Sequence, residues 1–205
     1  SVDNEDILAD FRRKMGPQPS VADLFQGGML AWALDRKQEA ANDFLRITEA
    51  EPGHIPAWKY LIRWYEFQED YRRVAEAART ILRHSSPEKK DDIFYAKKTL
   101  AVALRYLKQY DEAEHLCREL LRDYGDIPLV YDMLGNIGLE RQRYDDALLE
   151  FKKALTVDPQ FVPAYGKIAA CLYHMDKSGT AEALLRQAVA LNPGDPLLYK
   201  NLGES

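Results

Sequence analysis

A segment in the middle of the chain alternates apolar and polar residues with the period of a helix. Tyr131 and Leu134, and further along Ala147 and Phe151, follow the three- and four-residue spacing of side chains on one helix face. The polar residues 141–143 separate the two sets. We therefore predict two amphipathic helices joined by a short turn, which together form one helix hairpin.

The same pattern returns along the chain every 34 residues. Ala113, Ala147 and Ala181 are equivalent residues in three successive copies, and Pro159 and Pro193 are equivalent in two. In this register five repeats occupy residues 21–54, 55–93, 94–127, 128–161 and 162–195. The second repeat is five residues longer than the others, and we predict that these extra residues form a long loop near residues 85–90.

Seven positions of the repeat carry a fixed order of large and small residues. In residues 128–161, positions 4, 7, 8, 20, 24, 27 and 32 hold Tyr131, Leu134, Gly135, Ala147, Phe151, Ala154 and Pro159. This order resembles the signature of the tetratricopeptide repeat (TPR) family. The resemblance implies an all-α fold, a right-handed α-solenoid of antiparallel helix hairpins (a TPR superhelix), in which helices A and B of each repeat pack against the next repeat.

The two ends of the chain fall outside the five repeats. Residues 1–20 predict an amphipathic helix with Leu8 and Phe11 on its apolar side, followed by a Pro/Gly linker. We expect this helix to cap the first repeat, with docking onto a partner as the alternative. Residues 196–205 match the opening of a sixth repeat and predict either the start of that repeat, within a longer parent protein, or a capping helix.

Small residues at positions 8 and 20 predict where helices A and B of one repeat approach closely, as at Gly135 and Ala147. Gly138, at position 11, costs roughly 0.5–1 kcal/mol relative to alanine in a helix interior. We predict that a bulky side chain from a neighbouring helix fills the space beside this glycine.

Composition and charge narrow the function classes. The chain has 33 acidic and 28 basic residues, a net charge of −5, which argues against nucleic-acid binding. At 46% hydrophobic and 30% charged residues, the sequence predicts a folded chain without direct membrane insertion. Cys117 and Cys171 form no CxxC pair, so a reducing compartment such as the cytoplasm is favoured. Association with an envelope or an organelle through the parent chain is the alternative.

Catalytic motifs are absent from the sequence. It contains no GxxxxGK[ST], GxSxG, HExxH or GxGxxG. His115 and Cys117 lie two residues apart, on different faces of a predicted helix, which is typical of one surface and one core residue rather than a catalytic pair. The sequence therefore predicts a protein that is not an enzyme and that needs no cofactor or metal.

The resemblance to TPR proteins implies a partner-binding face on the concave side, lined by the A helices. Read in this register, the predicted partner-binding residues are Lys59, Tyr60, Arg63, Tyr95, Lys98, Arg105, Tyr106 and Asn136. Cations interleaved with tyrosines predict a groove for a peptide or helix that carries acidic and apolar groups. In the alternative interpretation these cations are ordinary surface charges, partly paired with Glu66 and Asp132.

The function predicted from the resemblance is a non-catalytic protein-protein interaction scaffold. A second hypothesis is a self-assembling scaffold, a homo-oligomer that forms through the terminal helices, because incompletely capped repeat arrays expose apolar ends. The two hypotheses differ in whether the molecular mass depends on protein concentration.

Overall fold

A computed structural model describes residues 4–203 of the chain, with side chains from residue 7 onward. Residues 1–3 and 204–205, which belong to the predicted terminal segments, lie outside the described residues. The described part consists of helices without a β-strand, so the predicted all-α helical-repeat fold is confirmed. The chain divides into two compact parts, Ser1–Leu107 and Lys108–Ser205, called here the N-terminal and the C-terminal half.

Each half is a series of antiparallel helices joined by short connections. The N-terminal half contains α1 (Asn4–Met15), α2 (Val21–Ala33), α3 (Lys37–Ala50), α4 (Ile55–Phe67), α5 (Tyr71–His84) and α6 (Lys90–Tyr106). The C-terminal half contains α7 (Tyr110–Tyr124), α8 (Pro128–Glu140), α9 (Tyr144–Val157), α10 (Val162–His174), α11 (Ser178–Leu191) and α12 (Pro196–Leu202).

The turn inside each repeat has a left-handed residue that is not glycine. These residues, with φ between 56° and 61°, are Asp35, Glu69, Lys108, Gln142 and Asp176. They are separated by 34, 39, 34 and 34 residues, the same intervals as the repeats counted in the sequence. In four of the five turns the next residue donates its N–H to a carbonyl five residues earlier, as Arg143 does to Gly138 at 2.8 Å. This is the Schellman arrangement that closes a helix and reverses the chain.

The connection between the second and third repeats lies at residues 85–89, where the sequence predicts it. It ends at Lys89, and α6, with 17 residues, begins four residues before the repeat register at 94. Asp91 and Asp92 lie in the first turn of α6, where a negative charge is favoured by the helix dipole. Part of the surplus sequence therefore extends a helix instead of forming a loop.

Glycines inside two hairpins make room for aromatic rings. A Cβ atom at Gly28 would lie only 2.8 Å from the Phe44 ring, and Gly135 stands in the same relationship to Phe151. Both rings are completely buried. The position-8 glycine therefore accommodates the position-24 aromatic residue of its own repeat.

The prediction that a bulky side chain fills the space beside Gly138 is wrong. A Cβ atom at this position would lie 3.0 Å from the Cβ atom of Ala147 and 3.2 Å from its backbone nitrogen. The space beside Gly138 is therefore occupied by the backbone of α9, because the small residues at positions 11 and 20 let the two helices touch.

Hydrogen bonds from position 4 connect successive hairpins. The Trp58 indole N–H donates to the Pro52 carbonyl at 2.8 Å, and the hydroxyl groups of Tyr165 and Tyr199 donate to the carbonyls of Pro159 and Pro193 at 2.7 and 3.1 Å. An aromatic donor at position 4 thus bonds the proline at position 32 of the preceding repeat.

The terminal helices pack against their own halves. Leu8 of α1 is buried, Phe11 lies near Gly27, and Arg12 forms an ion pair with Asp43 at 3.0 Å. At the other end, Leu198 of α12 is buried against Tyr165.

Candidate functional site

The predicted partner-binding residues lie on three helices. Lys59, Tyr60 and Arg63 are on α4; Tyr95, Lys98, Arg105 and Tyr106 are on α6; Asn136 is on α8 in the C-terminal half. Within the N-terminal half, side-chain contacts bring the first five of these residues near one another across α4 and α6. The last two residues of α6 form a second group.

Lys59 joins the start of α6 to α4. Its ammonium group lies 2.7 Å from Asp92 and 5.0 Å from the centre of the Tyr95 ring. The charge of Lys59 is therefore already compensated within the chain. Asp92 was missed at the sequence level because it precedes the register of the third repeat, and only the helical extension of α6 makes it available.

Tyr60 belongs to an aromatic cluster formed by α2, α3 and α4. Its ring stacks on Phe44 with centroids 4.6 Å apart and meets Trp32 edge-on at 5.5 Å. Phe25 packs near both Phe44 and Tyr60, at 5.8 and 6.1 Å. One face of the Tyr60 ring is therefore used for packing between repeats, and such offset and edge-on ring contacts stabilise the cluster beyond simple area burial.

Arg63 places a positive charge at the border of this cluster. Its guanidinium carbon lies 5.6 Å from the centre of the Tyr60 ring, within the range of a cation–π interaction, while the side chain is exposed. Met29 on α2 is 37% exposed. Since Met29 is four residues after Phe25 and three before Trp32, it lies on the same face of α2.

Glu66 is the acidic group that faces the cations of this region. Partial desolvation raises the pKa of the Glu66 carboxyl, and the positive charges of Lys98 and Arg63 act in the opposite direction. The ammonium group of Lys98 also lies 6.0 Å from the Tyr95 ring centre. The positive charges of Lys98 and Arg63 therefore both act on the carboxylate of Glu66, which belongs to the same chain.

Tyr95 lies between these charged groups. Burial raises the pKa of its hydroxyl, and the nearby Glu66 charge raises it further, against smaller opposing effects from Thr99 and Arg63. Tyr95 therefore remains neutral at physiological pH and keeps a proton to donate.

Arg105 and Tyr106 lie at the opposite end of α6, about 16 Å along the helix from Tyr95. Tyr106 is 49% exposed and stacks on Tyr71 of α5, with ring centroids 4.0 Å apart. The guanidinium carbon of Arg105 lies 4.3 Å from the Tyr106 ring centre. This group connects α5 to α6 and is separate from the group around Tyr60.

Asn136 takes part in a polar network of the C-terminal half. Its amide donates to Asp132 at 3.0 Å, and Asp132, which is 6% exposed, accepts from the Lys167 ammonium group at 2.6 Å. Lys167 also lies 5.7 Å from the centre of the Phe151 ring. The expected pairing of surface cations with Asp132 therefore involves Lys167, within the same half.

Among residues 7–203, no group of three or more His, Cys, Asp or Glu side chains is arranged to hold a metal ion. His115 is exposed beside Glu119, whereas Cys117 is buried and desolvation raises its pKa to about 12. None of the described helices combines the length and hydropathy needed to cross a bilayer.

Sequence comparison matches the tetratricopeptide repeat family over residues 98–163 and again over residues 139–203. The two matches together cover just over half of the chain. No curated protein matches this sequence.

Solved structures of tetratricopeptide repeat proteins resemble the fold. YrrB, described as a TPR protein with an unusual peptide-binding site, superposes with a TM-score of 0.66 at 15% identity, over 95% of this chain and 98% of its own. MamA gives a TM-score of 0.69 at 14% identity, over 83% and 90%. The thermophilic TPR protein TTC0263 of Thermus thermophilus gives 0.64 at 17% identity, over 90% and 97%. At these identities the similarity concerns the fold alone.

Proposed function

The chain belongs to the tetratricopeptide repeat family, a family of protein-interaction scaffolds, and on this premise we propose where it binds its partner. The proposed site is the α2–α4–α6 face, defined by Phe25, Met29, Trp32, Tyr60, Arg63, Tyr95 and Lys98. Its partner is a peptide or helix of another protein that presents apolar side chains next to a carboxylate.

The apolar part of the face is supported by the aromatic cluster. Trp32 and Tyr60 are only half-buried, and Met29 adds an exposed, flexible apolar side chain beside them. Rigid aromatic residues with a partly exposed surface are the side chains that contribute most to binding energy in protein interfaces. This part of the face suits a leucine, methionine or aromatic side chain of the partner.

The acidic preference is supported by the charges around Glu66. Arg63 and Lys98 act on this one carboxyl, so a positive charge remains next to the aromatic cluster. The single observation that carries the proposal is the position of the Arg63 guanidinium over the ring of Tyr60. It joins the cation and the apolar surface into one recognition element.

Three predicted site residues stay outside the proposed face. Asn136 is hydrogen-bonded to Asp132 in the C-terminal half, and Arg105 and Tyr106 stack at the far end of α6. Lys59 lies at the border of the face, with its charge directed to Asp92.

The proposal is tested by charge reversal and affinity capture. We expect the double substitution Arg63→Glu and Lys98→Glu to abolish capture of the partner from a lysate, because both cations next to the apolar surface are replaced by acids. The matched control is Arg72→Glu with Lys152→Glu, which makes the same change of charge at exposed residues of α5 and α9. Equal capture by the two double variants contradicts the proposal.

Self-assembly through the terminal helices is the alternative function. The packing of α1 on its own half, through Leu8 and the Arg12–Asp43 ion pair, leaves this helix engaged within one chain and does not favour the alternative. Sedimentation over a wide range of protein concentration separates the two. A mass that rises with concentration supports self-assembly, and a constant monomer mass contradicts it.

A further inference from the structure

The end of α4 carries an exposed aromatic pair that the α2–α4–α6 face does not include. Phe67 is 67% exposed, the highest value among the large apolar side chains that the structure describes. Its ring lies nearly parallel to the ring of Trp64, with centroids 5.8 Å apart and 22° between the planes. The two rings line a hollow of about 340 Å³, a volume within the range of ligand pockets. We call it the Phe67 hollow.

The rest of the lining of the Phe67 hollow comes from residues 35–39, in the turn between α2 and α3 and the start of α3. The Lys37 ammonium group lies 2.9 Å from Asp35, and Arg36 forms an ion pair with Glu39. Each of the four charged residues that line the hollow thus has a partner of opposite sign within the chain. A charged ligand group placed there would stay unpaired, so the hollow fits an uncharged, apolar group.

Other repeats show what covers a ring at this place of the repeat. Phe67 is at position 13 of the second repeat. In the third repeat Tyr106, also at position 13, stacks on Tyr71 at position 17 of the preceding repeat, with centroids 4.0 Å apart. In the fifth repeat His174 stacks on Tyr144 in the same way, at 4.5 Å. A ring at position 13 is therefore covered by a ring at position 17 in both of these repeats.

The residue at position 17 that meets Phe67 is a lysine. The Lys37 ammonium group lies 4.8 Å from the centre of the Phe67 ring, yet most of the Phe67 side chain stays exposed to water. The first and fourth repeats have Ala33 and Glu140 at position 13, and therefore no ring to cover. Among the position-13 rings of the five repeats, Phe67 is thus the one that lacks a ring at position 17.

We propose that the Phe67 hollow binds an aromatic side chain of a partner protein, at the place where the chain supplies its own ring in two other repeats. Stacked rings bury a large apolar area and attract each other through their complementary charge distributions. The Trp64 and Phe67 rings offer such a surface, and the paired charges around them leave an uncharged ring without a competing charged ligand.

The Phe67 hollow lies next to the α2–α4–α6 face. Phe67 is four residues after Arg63 and seven after Tyr60, so the three side chains are on the same side of α4. A partner whose carboxylate meets Arg63 can therefore place a ring in the hollow about one helical turn further along α4. The claim that the ring belongs to this partner rests on the proposed function, whereas the claim that the hollow binds a ring does not.

A heteronuclear NMR titration of the whole chain with N-acetyl-phenylalanine amide, an uncharged probe, tests the hollow. We expect the Trp64 indole signal to shift and the Tyr106 ring signals to stay unchanged, because Tyr71 already covers that ring. N-acetyl-leucine amide and N-acetyl-lysine amide are titrated in parallel. A stronger response of Trp64 to the leucine probe overturns the assignment to a ring, and a stronger response to the lysine probe overturns the assignment to an uncharged group. No response to the phenylalanine probe at millimolar concentration overturns the proposal.

Two variants change the ring contact itself. Phe67→Leu keeps an apolar side chain but removes the ring, and it is expected to weaken binding of the phenylalanine probe about fivefold, the effect of one ring pair. Tyr173→Leu removes an exposed ring on α10 and is expected to leave this binding unchanged. Equal binding by the two variants overturns the proposal.

The second variant, Lys37→Tyr, supplies at position 17 the ring that Tyr71 and Tyr144 supply in their repeats. It is expected to abolish binding of the phenylalanine probe, because the chain's own ring then occupies the hollow. Helicity and the melting temperature report whether the fold is retained. Undiminished probe binding by a folded Lys37→Tyr protein contradicts the inference.

The charge variant distinguishes the Phe67 hollow from the α2–α4–α6 face. The probe has no carboxylate, so the protein with Arg63→Glu and Lys98→Glu is expected to bind it as wild type does, while losing the partner. Phe67→Leu is expected to capture the partner more weakly than wild type. Full capture by Phe67→Leu, together with loss in the charge variant, overturns the assignment of the ring to this partner. Full capture by the charge variant instead contradicts the α2–α4–α6 face and leaves the binding of the probe in the hollow as a separate result.

Discussion

The ring of Phe151 occupies the space where a Cβ atom at Gly135 would lie, so each of these residues determines the size of the other. Phe44 and Gly28 show the same relationship in the first repeat, with a 2.8 Å approach. In both repeats the following repeat covers the ring, with Tyr60 stacked on Phe44 and the Lys167 ammonium group near Phe151. The core of a hairpin and the surface of its neighbour are therefore built around one aromatic residue.

We predict that Gly135→Ala destabilises the protein. Alanine is the better helix former, but its methyl group would force the buried Phe151 ring or the helices apart, and overpacking of this kind costs about 1–3 kcal/mol. The free energy of unfolding from urea denaturation measures the effect. Gly179→Ala is the control, because nothing lies within 4 Å of a Cβ atom there, and it is expected not to destabilise. Equal stability of wild type and Gly135→Ala contradicts the packing described.

From the left-handed backbone conformation of Gln142 we predict that glycine at this position stabilises the protein. Gln142 has φ of 58°, a conformation that costs a residue with a Cβ atom about 1–2 kcal/mol and that glycine adopts freely. After the entropy that glycine loses on folding, we expect Gln142→Gly to stabilise the protein by roughly 0.5–1 kcal/mol. Denaturant titration checks this value. Gln142→Ala keeps the strain and serves as the control, and a gain of stability in alanine but not glycine refutes the explanation.

Glu66 is expected to compete with the partner for Arg63 and Lys98. Replacing it by glutamine removes the internal carboxylate, so an acidic partner gains both cations. We predict that Glu66→Gln retains the partner at higher salt than wild type, with an affinity severalfold greater, as expected for one partly exposed ion pair of up to about 1 kcal/mol. Elution of the captured partner over a salt gradient gives the comparison. Earlier elution from Glu66→Gln means that Glu66 supports binding instead of competing with it.

The raised pKa of Glu66 also determines in which direction this residue changes the stability of the protein with pH. Because desolvation raises its pKa in the folded state above the ordinary value, the folded protein holds this proton more tightly than the unfolded chain does. The stabilisation from this group is therefore full at acidic pH and is lost as the pH rises through the raised pKa. In Glu66→Gln this part of the pH dependence is expected to disappear.

The two thiols are expected to react slowly. Cys117 and Cys171 are buried, and desolvation raises their pKa values to about 12 and about 11. Since the thiolate is the reactive form, neither thiol is expected to react with a disulfide reagent at mildly alkaline pH while the protein is folded. Addition of denaturant releases both at once. A rapid reaction of either thiol in the native protein is inconsistent with the packing of its repeat.

The repeated architecture was largely accessible from the sequence, because each hairpin follows from local periodicity. The left-handed residues from Asp35 to Asp176 recur with the intervals of the sequence pattern, although no glycine marks them. What the sequence did not predict depends on contacts between helices. The ion pair of Asp92 with Lys59 and the contact of Gly138 with the α9 backbone both join residues of different helices.

The candidate face, too, could be predicted from the sequence only in part. Repeat positions identified Lys59, Tyr60 and Arg63 as neighbours on α4, since helical spacing alone requires it. Whether a cation of this face is compensated within the chain depends on the acidic residues near it. Those acidic residues lie on other helices or on other turns of the same helix. The sequence already suggested that Glu66 pairs with cations of this face, whereas the pairing of Lys59 with Asp92 is visible only in three dimensions.

The most direct test of the α2–α4–α6 face is site-specific photo-crosslinking. A photoreactive phenylalanine analogue replaces Met29, which is exposed beside the aromatic cluster, and in a matched protein it replaces Leu149, which is 54% exposed on α9. We predict a crosslink to the partner from position 29, its loss when Arg63→Glu and Lys98→Glu are added, and no crosslink from position 149. A crosslink from position 149 with none from position 29 would contradict the proposed face.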